Sequence, residues 1–299
     1  MAPASLQRIH QVKESSERSS ARQVTSVGQE GTLVLIGGKE NKVGDLTILS
    51  EFAKLAGSGK LVIATLASEE ALQQWDTYRD VFTKLGVKNL QHLAIATREQ
   101  AVEMNAAEVL RGTTAIFFTG GDQLKIASKL GGTSLLDGIR ELYEQKGIAI
   151  GGTSAGASVM GEIMLVSGGA DPDSHNVSGA FNMARGIGLV RDLVIDQHFA
   201  QRARIERLVG AVAEDPGVLG IGIDENTAVI LRDNKLQVLG SGAVYVADGH
   251  TITYTNISET ATDRSLCLFD MKLHVLTHGS GYDLGTRRPF LLDLPRATP

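Results

Sequence analysis

The stretch GIAIGGTSAGASVM, residues 147–160, drives an apolar run straight into two glycines and then a serine fenced by Ala155 and Gly156. A buried strand that ends this way has to turn sharply at Ser154 before small residues begin a helix. That strand, turn and helix form the logic of a nucleophile elbow: the serine sits at a strained apex, and its neighbours stay small so that strand, helix and ligand can approach. The plain alternative is a glycine-rich turn in which Ser154 only caps a helix.

The same alternation recurs along the chain. Short apolar runs at Thr32–Ile36, Lys60–Leu66, Asn89–Ile95, Ala115–Phe118 and Ile148–Ile150 are separated by helical patterns at Gly44–Ala56, Ala71–Leu85, Arg98–Arg111 and Gln123–Lys129. Crossovers of that length return a chain to the same edge of a parallel sheet, and runs without polar alternation suit strands buried on both faces. The expected fold class is α/β, a doubly wound and mostly parallel sheet. The later segments LVID (193–196), GIGID (220–224), AVILRDNKLQVLG (228–240), AVYVADG (243–249) and HTITYTNI (250–257) read as antiparallel additions near the C-terminus, with turns at Asp233-Asn234 and Asp248-Gly249. Residues 1–30 lack sustained periodicity and read as a disordered tail, and 31–299 as one α/β domain.

Composition removes several classes of function. A formal net charge of −5 leaves no broad basic surface, so neither nucleic acid nor an anionic membrane is an expected partner. No apolar run reaches the roughly 18–20 residues that span a bilayer, and the N-terminus lacks a secretory apolar region. The single cysteine, Cys267, has no partner for a disulfide or a Cys-based metal site, which makes a reducing compartment the default.

A second glycine pair closes the run FFTGGDQ at 117–123. In open parallel sheets ligands collect at the carboxyl ends of strands, so two bare strand ends suggest one shared cleft. There the backbone N–H of Ala155 is one oxyanion donor, Gly121 or Asp122 offers a second, and Gln123 is available to substrate. An ordinary turn capped by Asp122 is the plain alternative. A serine also needs a base. Of seven histidines, His198 ends the apolar run LVIDQHF, the same kind of position as Ser154. The acid that orients it is Glu225 or Asp224 in GIGIDENTA, with Asp171 and Asp173 as competitors; strand neighbours point opposite ways, so only one of Asp224 and Glu225 faces the base. Arg202, Arg204 and Arg207 follow at once in DQHFAQRARIERL, as carboxylate binders or as a solvated helix face paired with Glu206.

Taken in order and spacing, FFTGGDQ, GGTSAGASVM, VIDQHFAQRARIERL and GIGIDENTA resemble the cyanophycinases, serine exopeptidases similar to peptidase E, the aspartyl dipeptidase. The similarity covers roughly residues 31–290. The resemblance implies a flavodoxin-like, class I glutamine amidotransferase-like fold. It implies Ser154 as nucleophile, His198 as base and Glu225 as the third triad member, with Gln123, Asp196, Gln197, Arg202, Arg204 and Arg207 on the substrate. That substrate is the polymer cyanophycin, a poly-aspartate backbone with arginine on each β-carboxylate, released as β-aspartyl-arginine by a cytoplasmic homodimer. No cofactor or metal enters this chemistry. The rival readings are an aspartyl dipeptidase and a non-catalytic polymer-binding module. A glutaminase would use Cys at the elbow, and LIGGKENK lacks the spacing of a dinucleotide-binding loop.

Overall fold

The computed structural model describes residues 31–167, 181–258 and 265–292. The tail, Asp171 and Asp173 lie outside them. Thr32–Ile36 (β1), Lys60–Ala64 (β2), Asn89–Leu93 (β3), Thr113–Phe118 (β4) and Ala149–Thr153 (β5) form a parallel block in the order β1-β5-β4-β2-β3. Next come the hairpin Ile163–Ser167 (β6) and Phe181–Arg185 (β7), then Leu193–Gln197 (β8), Leu219–Ile223 (β9), Thr227–Arg232 (β10), Lys235–Gly240 (β11) and Val244–Asp248 (β12). The chain closes with Tyr254–Thr255 (β13), Leu268–Phe269 (β14), Lys272–Leu276 (β15), Ser280–Asp283 (β16) and Arg288–Leu291 (β17).

β10 pairs antiparallel to β1 and begins the run β10-β11-β16-β17, which extends the parallel block to nine strands. The β10–β11 turn is made by Asp233 and Asn234 at φ 49° and 59°, the left-handed pair that a tight two-residue hairpin requires.

Helices cover both faces because alternate strand residues face opposite ways. On one face Val34, Ile36, Ile63 and Phe117 pack against Phe52 of Thr47–Ala56 (α1) and Tyr78 and Phe82 of Ala71–Lys84 (α2). The rings of Phe52 and Phe117 lie 5.3 Å apart and tilted, the offset geometry aromatic quadrupoles favour. On the other face Leu33, Leu35, Val62 and Phe118 meet the helices that follow β3, β4 and β5. These are Arg98–Glu103 (α3), Ala106–Val109 (α4), Gln123–Leu130 (α5), Ser134–Lys146 (α6) and the single turn Ala155–Ser158 (α7). Each such side chain contributes roughly 1.5–3 kcal/mol on burial.

Two expectations are corrected. LVID and GIGID do not join the first sheet as antiparallel strands. As β8 and β9 they pair in parallel, Leu193 opposite Leu219, inside a separate four-stranded sheet β15-β12-β9-β8. The helix between them, Ile205–Glu214 (α8), is the crossover that turns the chain back in the same direction. Ile195 and Ile221 of this sheet reach the core over the main sheet, while Val194 packs on Leu208 and Val212 of α8. The stretch expected as one helix over Arg98–Arg111 is two. Met104 leaves the helical region at ψ 132°, and the Asn105 side chain accepts the Glu108 amide at 3.2 Å, restarting the helix as α4. Among the described residues no helix is long and apolar enough to cross a membrane.

Candidate active site

Parallel pairing puts the carboxyl ends of β1, β5 and β4 side by side, and the loop between β9 and β10 opens at the same end of β1. Ser154 sits at the end of β5 with φ 54° and ψ −117°. Non-glycine residues rarely adopt this region, at a cost of order 1–3 kcal/mol, and it is the strained apex expected of an elbow. The amide of Ser154 donates to the carbonyl of Ile36 at 2.9 Å, which locks the apex to β1. Close approach explains the small residue that follows: a Cβ on Gly156 would lie 2.3 Å from the carbonyl oxygen of Phe118 in β4.

His198 ends β8 and approaches from the second sheet. Ser154 Oγ lies 2.9 Å from His198 Nε2, and His198 Nδ1 lies 2.7 Å from Glu225 Oε1. Glu225 is held below the usual carboxylate range: burial pushes it up, but hydrogen bonds from Lys39 and His198, with their charges, outweigh that. An ionised carboxylate only accepts, so Nδ1 carries the ring proton and Nε2 is left to accept from the serine hydroxyl. Burial holds the imidazole below its ordinary pKa; the Glu225 hydrogen bond opposes this and the Arg202 charge adds to it. The question between neighbours is answered by geometry. Asp224 turns away and takes the amides of Ala200 (2.9 Å) and Ala243 (3.0 Å), fastening the second sheet's loops.

The amide of Ala155, first residue of α7, and that of Gly121 have no hydrogen-bond partner among the described residues. The Asp122 amide donates to Ala67 at 3.1 Å and is occupied. The turn holding Gly121 abuts the serine, since a Cβ on Gly120 would lie 3.5 Å from Ser154 Cβ. α7 is one turn long, so these local N–H groups, rather than a long helix dipole, supply the positive potential. Gln123 donates to the carbonyl of Leu165 at 2.9 Å and keeps its amide oxygen for another donor, and Gln197 Oε1 lies 3.4 Å from Ser154 Oγ.

The arginines divide into two kinds. Asp196 is fully buried and bonded on both oxygens: Arg204 reaches Oδ1 at 3.1 Å, Arg207 Nε reaches Oδ2 at 2.6 Å, and a second Arg207 nitrogen bonds Oδ1. Asp196 therefore anchors two guanidiniums from within. Burial, offset in part by the charge of Asp196, draws Arg204 down to about 10. Arg202 stands exposed on the short turn Ala200–Arg202 beside His198. Among the described residues no group of three His, Cys, Asp or Glu is set to hold a metal ion.

Residues 33–239 match peptidase family S51. The chain belongs to peptidase family S51. It is 39% identical over 261 residues to the cyanophycinase of Geminocystis herdmanii, covering 86% of this chain and 95% of that protein. It is 37% identical over 265 residues to that of Thermosynechococcus vestitus, covering 87% and 81%. Among solved structures, a peptidase from an acI-B1 Actinobacterium superposes with TM-score 0.63 at 23% identity, over 85% of this S51 chain and 96% of that one, and shares the fold.

Sequence reasoning weighs LIGGKENK only as a dinucleotide-binding loop and misses that it supplies three further parts of the site. Gly38 (φ 105°) lies against the imidazole, where a Cβ would come within 2.3 Å of His198 Cε1. Lys39 Nζ reaches Glu225 Oε1 at 2.9 Å. Glu40, its side chain fully buried, accepts from Thr153 Oγ1 at 2.6 Å and from the Tyr78 hydroxyl, and pairs with Lys42 at 3.1 Å. The signal was present: this is a third glycine pair at the end of a buried strand.

Proposed function

We propose that this chain is a serine exopeptidase that hydrolyses cyanophycin, releasing β-aspartyl-arginine dipeptides. The observation that carries the reading is the unbroken relay Ser154–His198–Glu225 in a chain whose S51 relatives are named cyanophycinases. His198 Nε2 takes the proton from Ser154 Oγ as the oxygen attacks the α-peptide carbonyl of a terminal unit. The amides of Ala155 and Gly121 receive the developing oxyanion. Glu225 stabilises the imidazolium through Nδ1–H, and the imidazolium then protonates the leaving amine. Water, deprotonated by the same nitrogen, attacks the acyl-enzyme and frees Ser154.

Each unit of the polymer carries a carboxylate and a guanidinium. Arg204 and Arg207, preset by Asp196, and the exposed Arg202 suit the carboxylate, and the free amide oxygen of Gln123, with that of Gln197 beside Ser154, suits the guanidinium. We place it as a cytoplasmic homodimer, as the resemblance to the cyanophycinases implies, and its net charge of −5 disfavours nucleic acid and anionic membranes as partners. Incubation with cyanophycin and mass analysis of the products tests the reading: a single β-aspartyl-arginine product is expected, and intact polymer or free arginine would refute it.

A further inference from the structure

We propose a second, distal binding site for the same polymer, at the far end of α5 from Ser154. This rests on cyanophycin being the substrate. α5 begins at Gln123, next to the glycine turn that abuts Ser154, and its C-terminal end at Gly131 borders a cavity of about 560 Å³. Charged side chains line that cavity from three separate segments: Arg140 and Glu144 from α6, Glu162 just before β6, and Arg185 and Arg191 from the end of β7 and beyond. The volume falls within the range of real ligand sites. Three guanidiniums face two carboxylates there, which matches a chain whose every unit carries one carboxylate and one guanidinium.

These charges are not spent on the fold. Among the described residues the side chains of Glu144, Glu162, Arg185 and Arg191 form no hydrogen bond or ion pair, and all four are exposed. Arg140 is the fixed member. Its Nε donates to the carbonyl of Ile187 at 2.9 Å and its Nη1 pairs with Asp137 at 3.8 Å, which holds the guanidinium in place at the cavity wall. Arg185, paired with Ile163 at the end of β7, and Glu162, just before β6, both line the cavity and so bring the two signs to it. Two elements connect the sites: α5 itself, and the β6–β7 hairpin, which receives Gln123 at Leu165 and carries Arg185 at its base.

Eight helical residues rise about 12 Å, and an extended polypeptide covers roughly 3.3–3.6 Å per residue, so roughly four polymer units bridge the distance. A chain being trimmed at Ser154 is thereby held at a second point. The second contact acts as an effective-concentration gain that only a long substrate collects.

The test compares R185E/R191E with the unaltered protein on insoluble cyanophycin and on a three-unit oligomer too short to span α5. The expected result is KM for the polymer raised about tenfold, with kcat and KM for the oligomer unchanged. Co-sedimentation of the inert S154A protein with polymer granules, with and without R185E/R191E, reads binding directly and should weaken by a similar factor. Equal polymer KM and equal co-sedimentation would overturn the distal site while leaving the peptidase reading standing. Equal losses on polymer and oligomer would also overturn it. An unaltered protein that cleaves neither substrate would instead remove the peptidase reading, and the distal site with it.

Discussion

Lys39 and His198 bond the same carboxylate oxygen of Glu225, Nζ at 2.9 Å and Nδ1 at 2.7 Å. Two cations sharing one oxygen repel, so Lys39 opposes protonation of the imidazole. The base works only when neutral, and a lowered pKa moves the loss of activity to lower pH. The acid limb of kcat/KM is therefore expected below the ordinary histidine value of about 6.5, because burial, and Arg202 after it, hold His198 down. Lys39→Met should shift that limb upward. The Lys39 side chain is 71% exposed, so the shift should be a fraction of a pH unit and should shrink as salt approaches roughly 1 M. A downward shift in the pH–rate profile would contradict the shared-oxygen argument.

Ser154 stores backbone strain at φ 54° and ψ −117°, and glycine tolerates that region. Ser154→Ala should lose about 10⁴-fold or more in kcat while keeping the fold. Ser154→Gly should be equally inactive and melt higher, by about 1 kcal/mol or roughly 2–4 °C. Calorimetry of the three proteins checks the order, and a glycine variant melting below the serine protein would refute stored strain at this residue.

Adjacent acids should fail in different ways. Glu225→Gln removes the charge that stabilises the imidazolium and lets an amide N–H compete for Nδ1, so the tautomer is no longer fixed, and it should cut kcat about 10²–10⁴-fold at unchanged melting temperature. Asp224 uses both oxygens on backbone amides. Asn there replaces one acceptor with a donor, which should cost about 1–3 kcal/mol of stability with little effect on kcat. Denaturant titration beside steady-state kinetics separates the two, and a reversed pattern would exchange their roles.

What was legible in the chain follows from how local each signal is. The parallel block was readable because strands buried on both faces leave unbroken apolar runs, and Ser154 and His198 because each ends such a run. Glu225 could not be told from Asp224, since their opposite orientation depends on where Ala200 and Ala243 fall in three dimensions. The second sheet was hidden for the same reason. Whether β8 and β9 pair in parallel is decided by α8, whose charged N-terminal turn resembled a solvated face. Lys39 and Glu40 were missed because their partners, Glu225, Thr153 and Tyr78, are 38–186 residues away in sequence.

The arginines give the last expected outcome. Arg204 and Arg207 are 10% and 12% exposed and share the fully buried Asp196, so Asp196→Ala strands two guanidiniums without a counter-charge. That should cost about 3–5 kcal/mol, and the loss of activity should track the loss of fold. Arg202 has no such tie and lies beside His198. Arg202→Ala should stay within about 0.5 kcal/mol in stability yet lower kcat/KM for the polymer and raise the acid limb, because the charge that disfavours imidazolium is gone. A pH–rate profile of R202A set against its melting curve decides the matter: an unmoved limb with unchanged kcat/KM would return Arg202 to the solvated face of its turn, with no part in the site.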